Sequence, residues 1–218
     1  MSAPKLSNAS KMPCKSWSLQ AIDTCPGSID KSHPSGLVAA CRGCYATTGN
    51  YRFPNVIAPR VFNRTDWQRD AWVSDMVALL INEDWFRWFD SGDCYSLKLA
   101  RKILQVMKLT PHCKHWFPTR MHKFAKFLAV FDAMNALDNV VVRFSSDGIH
   151  GEQIKGAYTS TIIEDHDSAI PGYSVCEAYS RDGKCGDCRA CWDKNVPVIA
   201  YPQHGRKMAK INIQLRVA

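Results

Sequence analysis

Residues 140–148 read Val-Val-Val-Arg-Phe-Ser-Ser-Asp-Gly, a β-branched run that ends in small polar residues. β-Branched and aromatic side chains favour strands, and Ser, Asp and Gly favour turns, so this stretch predicts a buried strand and the turn at its carboxyl end. Just before it, after a candidate N-cap at Thr119, apolar residues recur at helical spacing: Phe124, Phe127, Leu128 and Phe131. A helix followed by a strand is therefore the unit from which the fold is predicted.

The same unit occurs twice nearer the amino terminus. One helix is predicted after an N-cap at Thr65, with Asp66 in its first turn, and the aromatic run 85–89 follows as a strand. Its apolar positions are Trp72, Met76, Leu79 and Leu80. The next helix ends at Thr110-Pro111 before a strand at 115–118, and its apolar positions are Ala100, Ile103, Leu104 and Met107.

Two later segments, 173–175 and 196–201, are further strand candidates at the edges of the same sheet. Alternating helices and strands predict an α/β fold with a parallel sheet covered by helices, either doubly wound or a partial barrel.

The predicted strands end in small or polar residues: Ser91-Gly92-Asp93, Thr119-Arg120 and Ser145-Ser146-Asp147. Ligands of parallel α/β proteins bind at the carboxyl ends of the strands, because the loops there carry the polar groups. Any one of these groups is equally well explained as a turn. Three at equivalent positions favour a binding site.

The amino-acid composition limits the classes of protein to which the chain can belong. The 218 residues are 46% apolar with a formal net charge of +8, which is typical of one ordinary globular domain and not of a collagen, coiled-coil or disordered chain. The apolar run Val77 to Ile81, which Met76 extends by one residue, is far short of the ~20 residues that cross a bilayer. The amino terminus lacks the apolar run of a secretory signal, so we expect no membrane segment and a cytoplasmic protein.

We expect three segments of one domain. Residues 1–60 are rich in Pro, Gly, Ser and Cys and predict a Cys-rich irregular segment packed on the core. Residues 61–170 hold the α/β core, and residues 171–218 supply Cys-rich C-terminal strands that complete it.

Ten cysteines are unexpected in a reducing compartment, where clustered thiols usually hold metal. Cys25 lies in Cys-Pro-Gly, and Cys41 and Cys44 form a CxxC pair in Cys-Arg-Gly-Cys-Tyr-Ala. Three thiolates in one irregular segment predict a metal site that staples it. The isolated Cys14, Cys94 and Cys113 are better explained as small buried apolar residues.

A second group of cysteines lies near the carboxyl terminus: Cys176, Cys185, Cys188 and Cys191. Two residues separate each of the last three, a spacing similar to the ferredoxin-type run that binds an iron–sulfur cluster. A structural zinc site is the alternative, since four thiolates also suit zinc. This group could form a second centre or complete the first, and redox-active thiols are a third interpretation of the cysteines.

These motifs resemble the bacteriophage gene product 88 family. The resemblance is carried by Thr-Cys-Pro-Gly at 24–27, the Cys-rich stretch 41–51, Ser-Gly-Asp at 91–93 and the tail that ends in Val-Ile-Ala-Tyr-Pro-Gln-His-Gly at 198–205. The Cys…CxxCYA core is in turn similar to phage relatives of the radical S-adenosylmethionine (radical SAM) enzymes. This resemblance implies a partial (β/α)6 TIM-like barrel of radical SAM type with a [4Fe–4S] cluster at its mouth.

The resemblance also implies roles for particular residues. Cys25, Cys41 and Cys44 would hold the cluster and leave one iron open for SAM. Ser91, Gly92 and Asp93 occupy a place comparable to the family motif that holds the methionine amine, and Ser145 and Ser146 would bind other polar groups of SAM. The expected activity is radical modification of a nucleic acid, nucleotide or protein.

The net charge of +8 favours a polyanionic partner, but a solvated basic face is the better explanation of the basic residues. The alternative function is therefore a non-catalytic iron–sulfur or zinc-stapled module that binds nucleic acid or a host protein.

Overall fold

The computed structural model describes residues 3–203. Its strands are β1 (Leu6–Asn8), β2 (Lys15–Trp17), β3 (Trp85–Trp88), β4 (Lys114–Thr119), β5 (Val140–Ser145), β6 (Thr159–Ile163), β7 (Ser174–Val175) and β8 (Val198–Pro202). Its α-helices are α1 (Pro54–Asp66), α2 (Trp72–Leu80), α3 (Leu97–Leu109) and α4 (Leu128–Asn135). The end of the predicted C-terminal segment, 204–218, lies outside the described residues.

The strands form one sheet in the order β1-β2-β3-β4-β5-β6-β8-β7. β1 is antiparallel to β2, and each further pairing is parallel. The prediction of an α/β fold with a parallel sheet is confirmed. The sheet has eight strands where six were expected, and it is open, because β1 and β7 pair on one side only.

The two faces of the sheet have different coverings. Phe86 and Trp88 of β3 belong to the main hydrophobic core, which also contains the apolar stripes of α2, α3 and α4. Trp85 of the same strand packs instead into a second cluster with Trp116 of β4 and Trp192. We call these the helix face and the cysteine face, since Cys14, Cys185 and Cys191 also pack in the second cluster.

Two predicted helix starts are wrong. Thr65 and Asp66 end α1 instead of starting a helix, and Asp66 accepts a 2.6 Å hydrogen bond from Arg69 Nε in the connection that leads to α2. Thr119 is the last residue of β4, and α4 begins only at Leu128 after two short 3-10 turns. In both cases the threonine hydroxyl donates to a residue outside the predicted helix: Thr65 Oγ1 to Phe62 O at 3.2 Å, and Thr119 Oγ1 to Asp93 Oδ1 at 2.7 Å.

The first 60 residues are less irregular than predicted, since they contain β1, β2 and the start of α1. β6 was not predicted at all. Its sequence is Thr-Ser-Thr-Ile-Ile, and its first three residues are buried despite their hydroxyl groups. One of these hydroxyls, Thr161 Oγ1, lies 2.9 Å from Ser146 Oγ.

The longest helices described, α1 and α3, have 13 residues each. Within residues 3–203, therefore, no helix has both the length and the apolar character that a bilayer crossing demands.

His115 of β4 is buried in a hydrogen-bonded chain. Trp88 Nε1 donates to His115 Nδ1 at 3.3 Å, and His115 Nε2 lies 2.9 Å from Thr110 Oγ1, whose hydroxyl donates to Val106 O. This network assigns the neutral tautomer with the proton on Nε2. Burial lowers the pKa of His115 to about 3.

Acid is expected to destabilise the fold through His115. The ordinary pKa is 6.5 and the folded value is about 3, so below pH 6.5 the unfolded state takes up the proton first. The stabilisation by neutral His115 is complete above pH 6.5 and falls by about 1.4 kcal/mol per pH unit towards pH 3. The free energy of unfolding, measured with denaturant, should for this reason be about 2 kcal/mol lower at pH 5 than at pH 7. In His115→Gln the difference in the free energy of unfolding between pH 7 and pH 5 should be smaller by that amount. An unchanged difference would refute the assignment of a neutral, buried His115.

Candidate metal centre

Cys25 and the Cys41/Cys44 pair lie in the segment that connects β2 to α1. An excursion of the chain brings them together, because Ile29 and Leu37 form an antiparallel bridge between the two groups. The residues between the bridge partners close a loop, and its two ends lie side by side. The long gap between Cys25 and Cys41 in sequence is therefore not a long distance in space.

Cys25, Cys41 and Cys44 are close enough for the charges of their thiols to interact; Cys41 is buried and the other two are half-buried. Burial raises the pKa of the Cys25 thiol well above its usual range, and the charges of Asp93, Cys41 and Cys44 raise it further. Burial also raises the pKa of Cys41, and that of Cys44 to about 11. Without a cation these thiols stay protonated at neutral pH, and a bound metal would replace their protons.

Ser91 and Gly92 hold the start of the cysteine segment against the end of β3. Ser91 Oγ donates to Leu19 O at 2.7 Å, and Leu19 N–H donates to Ser91 O at 3.2 Å. Gly92 has φ +73°, and a Cβ there would lie 2.6 Å from Thr24 Oγ1. These two predicted site residues thus fix the backbone that leads to Cys25.

Asp93 joins the ends of β3 and β4 beside Cys25. Its Oδ1 accepts hydrogen bonds from Thr119 Oγ1 and Cys94 N–H, both at 2.7 Å, and its Oδ2 accepts from Arg120 N–H at 2.8 Å. Burial raises the pKa of the Asp93 carboxyl, while these hydrogen bonds oppose the rise. The carboxylate is thereby held in a fixed orientation.

The end of β5 closes the other side of the site. Arg120 donates from Nε and Nη2 to Ser146 O at 3.2 and 2.8 Å. The next carbonyl, Asp147 O, accepts from Ala40 N–H at 2.9 Å, one residue before Cys41. The predicted residues at the ends of β3, β4 and β5 therefore form one network around the cysteine segment.

Ser145, the other predicted residue of β5, is half-buried and pairs with Ser160 of β6. The hydroxyl of Ser160 is buried without a hydrogen-bond partner among the residues that the structure describes.

Gly27 makes the tightest contact of the cysteine segment with this network. A Cβ on Gly27 would lie 2.6 Å from the backbone oxygen of Arg120, which cannot move without disturbing the Asp93 and Ser146 contacts. Gly27→Ala is therefore expected to displace Cys25 and to lower the bound iron by at least half. Iron analysis after anaerobic purification measures the loss.

The matched control is Gly156→Ala. Gly156 has φ +74°, and a Cβ there would have no other atom within 4 Å, so alanine costs backbone strain of about 1 kcal/mol without a clash. Equal iron in the two variants would show that the contact with Arg120 is unimportant.

Three thiolates are chemically suited to iron or to zinc. Within residues 3–203 no three His, Cys, Asp or Glu side chains are placed to hold one metal ion. Thiolates around a single zinc lie about 2.3 Å from it and so about 4 Å from one another. In a [4Fe–4S] cluster each thiolate binds a different iron, which separates the sulfurs further. Cys25, Cys41 and Cys44 would be the ligands of such a cluster.

The structure places the C-terminal cysteines at the cysteine face. Cys176 N–H donates to Ala200 O of β8 at 2.8 Å, and Cys191 Sγ lies 3.2 Å from Tyr201 Oη. Cys185 N–H donates to Lys11 O at 2.8 Å. All ten cysteines lie within the described residues, and none forms a disulfide.

Sequence reasoning did not single out the buried ion pair between Arg60 and Asp90. Arg60 Nη2 lies 3.2 Å from Asp90 Oδ2, and the two side chains are 4% and 3% exposed. The carbonyl of Asp90 accepts a 2.6 Å hydrogen bond from Tyr45 Oη, so the residue after Cys44 is tied to the end of β3. The sequence signal that could have pointed to Asp90 is its position directly before Ser91-Gly92-Asp93.

Arg87 and Arg143 were also missed. Both occur as single basic residues within apolar strand segments, a pattern that marks a buried charge with a specific task. Arg87 lies on β3 and Arg143 lies on β5, and both interact with the C-terminal cysteine segment.

The fold and the site together define the class: an α/β protein with an open, largely parallel sheet and a cysteine-rich candidate metal centre at its carboxyl edge. The chain belongs to the gene product 88 family, a phage gene product family whose model matches residues 2–210. That part of the sequence-based resemblance is confirmed. No curated protein matches the chain, and no solved structure does, so the similarity to radical SAM enzymes stays a prediction.

Proposed function

We propose that this protein binds a [4Fe–4S] cluster through Cys25, Cys41 and Cys44 and uses it to cleave SAM reductively. The radical so formed would modify a nucleic acid, a nucleotide or a protein. The proposal is supported by the position of Cys25, Cys41 and Cys44 in one segment at the carboxyl edge of a parallel sheet, where the Ile29–Leu37 bridge brings them close enough for their charges to interact.

The topology supports a partial barrel of radical SAM type. Strands β2 to β6 lie side by side in chain order, and the sheet has no point at which the order reverses among them. The helices α2, α3 and α4 all contribute to the core on one face of the sheet. Doubly wound folds reverse their strand order and place helices on both faces, whereas βα-barrels do neither.

The residues of the site have separate tasks in this proposal. The three thiols bind the cluster, and a three-cysteine set leaves one iron without a protein ligand. Asp93 and Arg120 hold the surrounding backbone in place through the hydrogen bonds described above. When bound and reduced by an external electron donor, the cluster would supply the one electron that reductive cleavage of SAM requires.

A cleft beside the Cys41 turn suits the amino-acid part of SAM. Its volume is about 390 Å³, and it is lined by Asp30, Arg42, Lys123 and Asp147 among others. Side chains of both charges are what the ammonium and the carboxylate of an amino acid require. Lys123 Nζ lies 2.7 Å from Asp147 Oδ2, so binding of a carboxylate there would compete with this ion pair.

The test is formation of 5′-deoxyadenosine. Anaerobically purified protein, reduced with dithionite and supplied with SAM, should release it together with methionine in equal amounts. The Cys113→Ala variant, which changes a buried cysteine outside both groups, should behave like the wild type. An intact cluster that yields no 5′-deoxyadenosine would contradict the catalytic proposal.

The net charge of +8 favours a second candidate function, a non-catalytic metal-stapled module for nucleic acid or a host protein. In that case SAM would leave the cluster spectrum unchanged, and DNA or RNA binding would weaken steeply with salt.

A further inference from the structure

The C-terminal cysteine segment is anchored by two neighbouring residues of β8. Ala200 O accepts the N–H of Cys176 at 2.8 Å, and the hydroxyl of Tyr201 lies 3.2 Å from the sulfur of Cys191. The beginning and the end of the cysteine group are thus fixed at the same place on the sheet.

Arg143 of β5 organises the turn that carries Cys191. Its buried guanidinium donates to four backbone carbonyls at 2.9–3.0 Å: Ala190, Cys191, Asp193 and Val196. Trp192 between them donates from Nε1 to Phe86 O at 2.9 Å. So many directed contacts fix the backbone around Cys191 before any ligand binds, which is how preorganised binding sites are built.

Packing and backbone contacts bring the cysteines of this group together. Cys185 and Cys191 pack in the same hydrophobic cluster as Trp85, Trp116 and Trp192. Cys188 N–H donates to Cys185 O at 3.1 Å, which forms a turn between them. Because Cys176 and Cys191 are held by neighbouring residues of β8, Cys176 lies near the Cys185–Cys191 run.

Arg87 brings a positive charge to the same place. Its guanidinium lies 4.3 Å from the ring centroid of Trp116, and Nη1 is 3.4 Å from the sulfur of Met12. Its buried Nε has no hydrogen-bond partner among the described residues. Arg87 is half-buried, hydrogen-bonds to the Tyr45 side chain and lies near the charge of Asp90. A cation with a spare donor, packed on Trp116 of the same cluster as Cys185 and Cys191, suits an anionic group at this site.

We propose that Cys176, Cys185, Cys188 and Cys191 bind a second [4Fe–4S] cluster at the cysteine face, separate from the first, with Arg87 as its counter-charge. Four thiolates around a [4Fe–4S] cluster leave a net negative charge, which Arg87 offsets. The spacing of two residues between Cys185, Cys188 and Cys191 is that of ferredoxin-type runs. Four thiolates would also suit zinc, so the metal that is bound is one outcome of the test.

This centre would differ in role from the first. With a cysteine on each iron, it has no open position for SAM, so it can carry electrons or stabilise the fold but cannot bind the substrate of the first centre. The inference does not depend on SAM cleavage.

Iron and acid-labile sulfide counts test the proposal. Anaerobically reconstituted wild-type protein should bind about eight irons per chain. Replacing the four C-terminal cysteines by alanine should leave about four, and replacing Cys25, Cys41 and Cys44 should also leave about four. A C-terminal variant that keeps all its iron overturns the second centre. So does an N-terminal variant that loses all iron, since one shared cluster would explain it, and so does zinc in place of iron.

Two milder changes cover the case in which the fourfold variant does not fold. Cys188 is exposed, so Cys188→Ser should fold and should change the electron paramagnetic resonance spectrum of one of two clusters. Arg87→Met should shift the midpoint potential of that same cluster to a more negative value, because reduction adds a negative charge that Arg87 stabilises. Arg87→Lys should restore most of the shift. If neither Cys188→Ser nor Arg87→Met alters a cluster signal, the assignment is wrong.

If the first centre is wrong and the second is right, only the C-terminal replacements remove iron. The two proposals can therefore fail separately.

Discussion

Replacing Cys25, Cys41 and Cys44 together by alanine is expected to remove one whole cluster, about four irons per chain, and to abolish 5′-deoxyadenosine formation. The three thiols are close enough for their charges to interact, and alanine offers no metal ligand there. The loss of SAM cleavage should be about 100-fold or more, since no other open iron exists in the proposed protein. Iron analysis and product chromatography on the same preparation measure the two effects.

The fold should survive this change. Buried cysteines behave as small apolar residues, and alanine leaves little empty space in their place. The control is Cys113→Ala, a buried cysteine at the amino end of β4 in the main hydrophobic core, which should keep its iron and activity. Retention of SAM cleavage by the triple variant would show that the wrong ligands had been chosen.

Replacing Arg143 by methionine is expected to be the most destabilising single change. Methionine fills much of the same volume, but it leaves four partly buried carbonyls without the donors they now have. Each buried acceptor that loses its partner costs about 1–3 kcal/mol, and water can reach some of them, so we expect the free energy of unfolding to fall by about 3–5 kcal/mol. The denaturant midpoint of the anaerobic protein measures this fall.

The turn around Cys191, no longer held by Arg143, should also lose its metal. Because Arg143 holds the backbone of Cys191 directly, the Arg143→Met variant should bind less iron at the C-terminal group while the first centre keeps its own. Arg64→Met is the matched control, since Arg64 is half-exposed and its only ion pair, among the described residues, is a 3.8 Å contact with Asp23. Equal midpoints for the two variants would mean that the four hydrogen bonds contribute little.

Local periodicity was enough to find the three helix–strand units, because each has an apolar stripe that only one secondary structure can bury. Two helix starts were misplaced, since Thr65 and Thr119 are good caps whose side chains have other partners. The strand β6 was missed because its buried residues carry hydroxyl groups in place of apolar side chains, and Ser146, the partner of the Thr161 hydroxyl, lies 15 residues away in sequence.

The candidate site, like the fold, could be predicted from the sequence only in part. The clustering of cysteines and the polar strand ends could be read from spacing, and the structure unites the ends of β3, β4 and β5 around Cys25 and Cys41. The tasks of Arg143 and Arg87 could not be predicted. Arg143 bonds carbonyls that lie 47–53 residues away in the chain, and no local pattern specifies such partners.

A Mössbauer spectrum of protein produced with iron-57 and kept free of oxygen would test the presence of inorganic clusters most directly. We predict the signal of [4Fe–4S] centres, with acid-labile sulfide equal to iron. A protein that holds only zinc, or iron in isolated four-sulfur sites without sulfide, would contradict the account.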